Sequence, residues 1–254
     1  MRVLAAFIFF TRLPFWRIKE VPAAYFKSVV NYWPLVGWLT GGITATVLWA
    51  ASLILPLSIA LLLAIVSRLW ITGALHEDGL ADCFDGFGGG TTKERTLMIM
   101  KDSHIGSYGV IGLIFYFLLL WGLLMAIPFP LVCLVIIAGD VWGKFVAAQL
   151  INVLPYARKE EEAKIKVVYN RMNWSIFLFT LICGITPLLT LLPPHLWIAA
   201  LLPLLVFFLL YRMMKKRLQG YTGDCCGATV LLCELSFYLG VVLLTYNQIN
   251  ILNP

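Results

Sequence analysis

The sequence predicts an all-α protein, a single polytopic bundle of about seven membrane-spanning helices preceded by a short interfacial or re-entrant helix. Three observations carry that expectation. The first is composition: 61% of the 254 residues are hydrophobic and 13% charged, against about 45–50% and about 25% in a soluble domain. Mean hydropathy is +0.90. A water-soluble globule must cover itself with polar surface, and this chain has too few polar residues to do so. The second is segmentation, since apolar stretches of the ~20 residues needed to cross a bilayer recur along the chain. The third is the placement of charge between them.

In order, Val3–Trp16 is apolar but carries Arg12 and Pro14, so it reads as a helix lying in the interface or re-entering it. Spans are expected at about 34–54, 57–75, 106–127, 130–151, 173–192, 195–214 and 226–246. The short connections around Pro56, Pro128–Pro130 and Pro193–His195 carry no Lys or Arg. All but two of the 19 Lys and Arg lie before the first span or on alternate connections, about 76–105, 152–172 and 212–225. Basic residues collect on the cytoplasmic side, which predicts a cytoplasmic N-terminus, an external C-terminus and long connections in the cytoplasm. The formal charge of +6 therefore reports topology, and no nucleic-acid partner is expected.

Cysteines 83, 133, 183, 225, 226 and 233 form no CxxC pair and have no His at zinc spacing, so they are expected as small buried hydrophobes. Met1–Phe10 lacks the pattern of a removable signal peptide. Trp33, Trp38, Trp70 and Trp197 stand near span ends and are expected at the membrane interface.

The chemistry is expected on the 76–105 connection, read as a cytoplasmic loop. It begins His76-Glu77-Asp78-Gly79-Leu80-Ala81-Asp82-Cys83-Phe84-Asp85-Gly86. On a helix Asp82 falls about 40° from Asp78, and Asp85 about 20° to the other side, so three carboxylates share a roughly 60° sector. Such crowding raises the pKa values of like charges unless a cation neutralises them. Magnesium, a hard ion bound by one or two carboxylates plus substrate phosphates, fits that need. The alternative is a solvated acidic turn, with Asp-Gly pairs making bends. Glu77 faces about 100° away from Asp78 and ranks lower as a ligand. Gly79 and Gly86 are expected to let ligand approach the backbone.

Gly88-Gly89-Gly90 and Lys101-Asp102-Ser103 follow. Freed backbone N–H groups and a lysine suit phosphate, while Asp102 and Ser103 equally suit the N-cap of the next span. Later, Gly220-Tyr221-Thr222-Gly223-Asp224 follows the basic run Arg212–Arg217. Asp224 is a metal ligand or a helix N-cap, and the basic run a topology anchor before a phosphate binder. Asp140 and Lys144 can pair at i, i+4, and Glu234 stands inside a span, where ionisable groups are functional candidates or paired structural ones.

Five ordered stretches resemble the cobalamin synthase family, the adenosylcobinamide-GDP ribazoletransferases. They are Phe10–Pro14, Thr72–Gly86, Ile99–Gly106, Leu154–Arg158 and Gly220–Asp224. His104 and Lys144 stand where the family is expected to carry Arg. The resemblance implies an enzyme of the cytoplasmic (inner) membrane with its active site facing the cytoplasm. It would join adenosylcobinamide-GDP to α-ribazole or its 5′-phosphate and release GMP, giving adenosylcobalamin or its 5′-phosphate in late vitamin B12 synthesis, with magnesium required. On this reading Asp78, Asp82 and Asp85 hold the metal, with Glu77, Asp102 and Asp224 as further candidates. Arg12, Lys101, Ser103 and Arg158 bind phosphate, and His76 or an aspartate away from the metal is the base. Tyr108, Tyr221 and Trp33 are candidate corrinoid surfaces.

Two rivals stand beside it. A CDP-alcohol-type lipid phosphotransferase also spaces Asp-Gly carboxylates on membrane helices, but Ala81 is followed by Asp82 where that class has Arg. A transporter would place its strongest charges at the midplane, on Asp140, Lys144 and Glu234.

Overall fold

The computed structural model describes residues 1–158 and 168–252; part of the predicted 152–172 connection therefore lies outside the described residues. The elements are α1 (Arg2–Phe10), α2 (Trp33–Ser52), α3 (Leu57–Thr72), α4 (Leu75–Gly89), α5 (Lys93–Lys101), α6 (Ser107–Met125), α7 (Leu131–Ala148), α8 (Leu150–Val153), α9 (Trp174–Leu191), α10 (Leu201–Arg217) and α11 (Gly223–Leu252). 3₁₀ segments at Ala23–Tyr32 and Pro194–Ala200 run straight into α2 and α10. The first expected span accordingly begins earlier than position 34. No β-sheet forms among the described residues, only one bridge between Tyr156 and Tyr221.

Six helices are long and apolar enough to cross a membrane, and α3 with α4 makes a seventh crossing if the bent pair is one span. The expected span 57–75 thus does not stand alone. α3 stops at Thr72 and α4 departs at 90°. The bend uses two successive left-handed residues, Gly73 at φ +66° and Ala74 at φ +56°. Glycine adopts that conformation freely, whereas alanine does so at a cost of about 1–2 kcal/mol. The acidic segment expected as a loop is consequently two helices, α4 and α5.

α7 and α11 form the centre, with 78% and 67% of their apolar stretches buried, against 22% for α6, α9 and α10. The outer three present Ile111, Phe115, Leu118, Ile182 and Leu205 outward, as a bilayer solvent favours. α2 lies close on α7 because it carries glycine there: a Cβ on Gly37 would fall 2.8 Å from Val141 Cα. Small residues permitting such approach drive helix association in lipid.

Charges inside the bundle are paired. Lys144 bonds Asp140 on the same face of α7, and Thr40 of α2 donates to that carboxylate. Arg68 of α3 donates to Glu234 of α11 and to Tyr116 of α6 (2.8 Å), and lies 3.6 Å from Glu77 of α4. Tyr238 also donates to Glu234.

Candidate active site

The acidic segment folds as a helix because Leu75, Leu80, Ala81 and Cys83 supply a half-apolar face while Glu77 and Asp78 sit in the first turn, where the helix dipole favours negative charge. Gly79 lets this helix lie against the start of α11: a Cβ there would meet the Asp224 carbonyl oxygen at 2.9 Å. That glycine, expected to admit ligand, instead admits another helix. Gly86 similarly packs on Met100, and Gly88 on the Tyr108 ring. The triple glycine is therefore filled by protein side chains rather than shaped as a phosphate cradle. Gly90 and Phe87 carbonyls also accept from Arg217, giving one member of the basic run a capping function.

The three aspartates part company. Asp85 is buried, and its carboxylate accepts from Gly106 N (2.7 Å) and Gly109 N (2.9 Å). Gly106 is the N-cap position of α6 and has no side chain with which to cap. Asp85 reaches across from α4 and satisfies two of the N–H groups that every helix start leaves unpaired. Asp85, expected in the metal set, has both carboxylate oxygens engaged by these N–H groups in this structure. Neither Asp102 nor Ser103 caps that helix.

Asp78 is exposed and Asp82 half-buried. Both line a cleft of about 260 Å³ with Lys101, Asp102, Ser103 and His104. Asp102 accepts from the backbone N–H of His104 (3.0 Å) and from its ring Nδ1 (2.8 Å, ring N–H as donor). Those two bonds, the backbone one first, hold its carboxyl below the usual range.

Asp78 also lines a second cavity of about 240 Å³, between α1, α4, α11 and the Tyr156–Arg158 turn. His76, Arg158 and Asp224 share this lining. His76 is buried and stacked on Trp33 (centroids 5.6 Å) and Phe10 (6.2 Å). Arg158 donates to Leu97 O (3.0 Å), which ties the turn to α5. Burial pushes the Tyr156 phenol up to about 12, against the pull of Arg158, so it stays neutral at physiological pH. Thr222 Oγ1 accepts from Cys225 N (3.2 Å), so Thr222 caps α11 and Asp224 is left in its first turn.

The structure thus brings His76, Asp78, Asp82, Lys101, Asp102, Ser103, Arg158 and Asp224 around one junction. It separates two others. Glu77 is buried toward Arg68, and Arg12 lies over Gly73 at the α3–α4 bend, lining neither cavity. Trp33, expected at the membrane interface, is a fully buried cavity wall. Sequence reasoning missed Phe10, Tyr156 and Tyr169 as lining residues, although the first two fall inside stretches that carried the resemblance.

Among the described residues no three His, Cys, Asp or Glu side chains are gathered closely enough to hold a metal ion by themselves. The donor chemistry nevertheless suits magnesium. Asp78, Asp82 and Asp224 offer hard carboxylate oxygens, and magnesium takes only one or two of these when substrate phosphates complete its shell.

Comparison with known proteins follows the same line. Residues 2–242 match the model of the family described as cobalamin-5-phosphate synthase. An adenosylcobinamide-GDP ribazoletransferase of Shewanella frigidimarina is 39% identical over 240 residues, covering 93% of this chain and 92% of that one. A protein of the same name from Ralstonia pickettii is 35% identical over 235 residues, covering 92% of each. No solved structure matches. On a match spanning nearly its whole length, this membrane protein belongs to the cobalamin-5-phosphate synthase family.

Proposed function

We propose that this chain is an adenosylcobinamide-GDP ribazoletransferase, joining adenosylcobinamide-GDP to α-ribazole or its 5′-phosphate with release of GMP. The family membership names the reaction. The observation that carries the site is Asp78, which stands where an aromatic cavity meets a cleft bearing carboxylates and a lysine.

The diphosphate of the donor belongs in the cleft. Lys101 supplies a point charge to its oxygens and Ser103 a hydroxyl donor, while Arg158 serves phosphate from the cavity side. The acceptor hydroxyl attacks the phosphorus on the cobinamide side, and the P–O bond to the GMP phosphate breaks in line. GMP leaves with that electron pair, and the hydroxyl proton passes to a base. His76, which lines the cavity with Asp78, or an aspartate away from the metal takes that proton. Held by one or two of Asp78, Asp82 and Asp224, magnesium would neutralise charge on the diphosphate. Enclosure by Phe10, Trp33 and Tyr156 excludes water that would otherwise compete with the acceptor.

Every long basic connection meets at this site, which supports an active site facing the cytoplasm from the cytoplasmic membrane, with the N-terminus on the same side. The test is GMP release by detergent-purified protein given adenosylcobinamide-GDP, with α-ribazole-5′-phosphate and magnesium each present or omitted. The expected result is GMP only when both are present. GMP formed without acceptor would mean hydrolysis and overturn the transferase reading.

A further inference from the structure

The aromatic cavity has a more specific occupant. We infer that it is the subsite for the acceptor's base: the benzimidazole of the ribazole enters it, while the corrinoid and the guanine of the donor stay outside. The inference rests on the ribazoletransferase reading and adds to it which substrate goes where.

Size is the first argument. Pockets that enclose a drug-sized ligand run about 300–1,000 Å³, and this one is about 240 Å³. It holds one flat aromatic group and part of a sugar, and is far too small for a corrin macrocycle. Lining is the second. The inner wall is Phe10, Val30, Trp33, His76 and Cys226, all buried, and the Phe10, Trp33 and His76 rings lie within 19–23° of parallel where they stack on His76. A stack of near-parallel rings is the surface that receives another planar ring.

Unpaired polar atoms are the third. Trp33 Nε1 and His76 Nε2 are buried without a hydrogen-bond partner among the described residues, in side chains 1% and 3% exposed. Buried polar groups are almost always satisfied; these two atoms lie just beneath the surface of residues that line the cavity, so a small turn of the ring presents an N–H to an occupant. A benzimidazole offers one free ring nitrogen as acceptor and otherwise apolar edges, and it asks for one N–H donor. Guanine asks for two acceptors for its N1–H and 2-amino group as well. The carboxylates that could serve guanine, Asp78 and Asp224, are exposed or half-exposed, at the mouth rather than the inner wall. With the base inside, the ribose lies at that mouth, beside Asp78 and Arg158, where its hydroxyl meets the diphosphate cleft.

The experiment measures KM for each substrate separately in detergent-purified parent, Trp33→Phe and Cys226→Leu. The leucine adds volume to the inner wall, and the phenylalanine keeps the ring while removing the N–H. The expected result is a KM for α-ribazole raised about tenfold in each, a size typical of one altered pocket contact, with KM for adenosylcobinamide-GDP unchanged. Benzimidazole should compete with α-ribazole, and guanosine should not. Val30→Leu repeats the volume test should Cys226→Leu fail to fold. An unchanged acceptor KM in active variants, or a raised donor KM with competition by guanosine, overturns the subsite and leaves the reaction standing. Parent protein that makes no GMP overturns the reaction and the subsite together.

Discussion

At Asp78 a carboxylate borders an aromatic cavity on one side and a cleft holding Lys101 and Asp82 on the other, whereas Asp85, two turns on, is enclosed by the start of α6. The two positions should respond differently to loss of charge. Asp82→Asn, in the cleft, is expected to lower kcat about 100-fold, or about 2.7 kcal/mol of transition-state stabilisation. Asp85→Ala removes a charge-assisted cap and is expected to cost about 1–3 kcal/mol of stability, seen as a lower unfolding temperature with an unaltered magnesium optimum. A third prediction concerns Arg68. Replacing it by Met strands Glu234 and leaves Glu77 without its cation, and breaking such a buried pair typically costs about 3–5 kcal/mol. Arg68→Met with Glu234→Gln should recover part of the lost thermal stability. At this scale the sequence showed the acid positions and a helical spacing that grouped Asp78, Asp82 and Asp85, the first two of which line one cleft. Spacing alone does not reveal that the third carboxylate is consumed by a glycine N-cap some twenty residues later. Arg68 was equally hidden, because Tyr116 and Glu234 sit on helices far away in the chain and Glu77 reaches it only across the bend between α3 and α4.

Several helix pairs approach closely enough at glycine for a single Cβ to strike the neighbouring main chain. Gly79 sets how deeply α4 seats on α11, and a Cβ at that position strikes main chain rather than a flexible side chain. Gly79→Ala should therefore leave a folded protein whose kcat falls at least tenfold, because Asp78 and Asp82 move relative to Asp224. Gly37→Ala is expected to force α2 off α7 and cost about 1–3 kcal/mol, the usual range for overpacking. Gly42→Ala is the control on the same helix: nothing lies within 4 Å of its Cβ, and it should be neutral or better by thermal unfolding in detergent. Most helices were legible from apolar length alone. The 90° turn between α3 and α4 was not, since Gly73 reads as an ordinary glycine and left-handed Ala74 violates its own preference. The acidic segment was read as a loop for the same reason: its high glycine and charge content outweighs helical spacing until tertiary contacts are known.

Across the whole molecule, the bundle is a scaffold that brings chain-distant pieces to one end. α1 contributes Phe10, α4 its carboxylates, α5 Lys101, the turn after α8 Arg158, and α11 Asp224. Alternating basic connections anticipated that these pieces share a side, while the composition anticipated the membrane. The aromatic cavity was beyond sequence reasoning because its walls come from separate elements, and Trp33 carries the same signature as an interfacial tryptophan. The decisive experiment is a magnesium titration of GMP release in parent and Asp82→Asn, both purified in detergent and given saturating donor and acceptor. Magnesium-dependent turnover is expected in the parent and a loss of about 100-fold in the variant. Full turnover by Asp82→Asn at matched magnesium would contradict the role given to the α4 carboxylates.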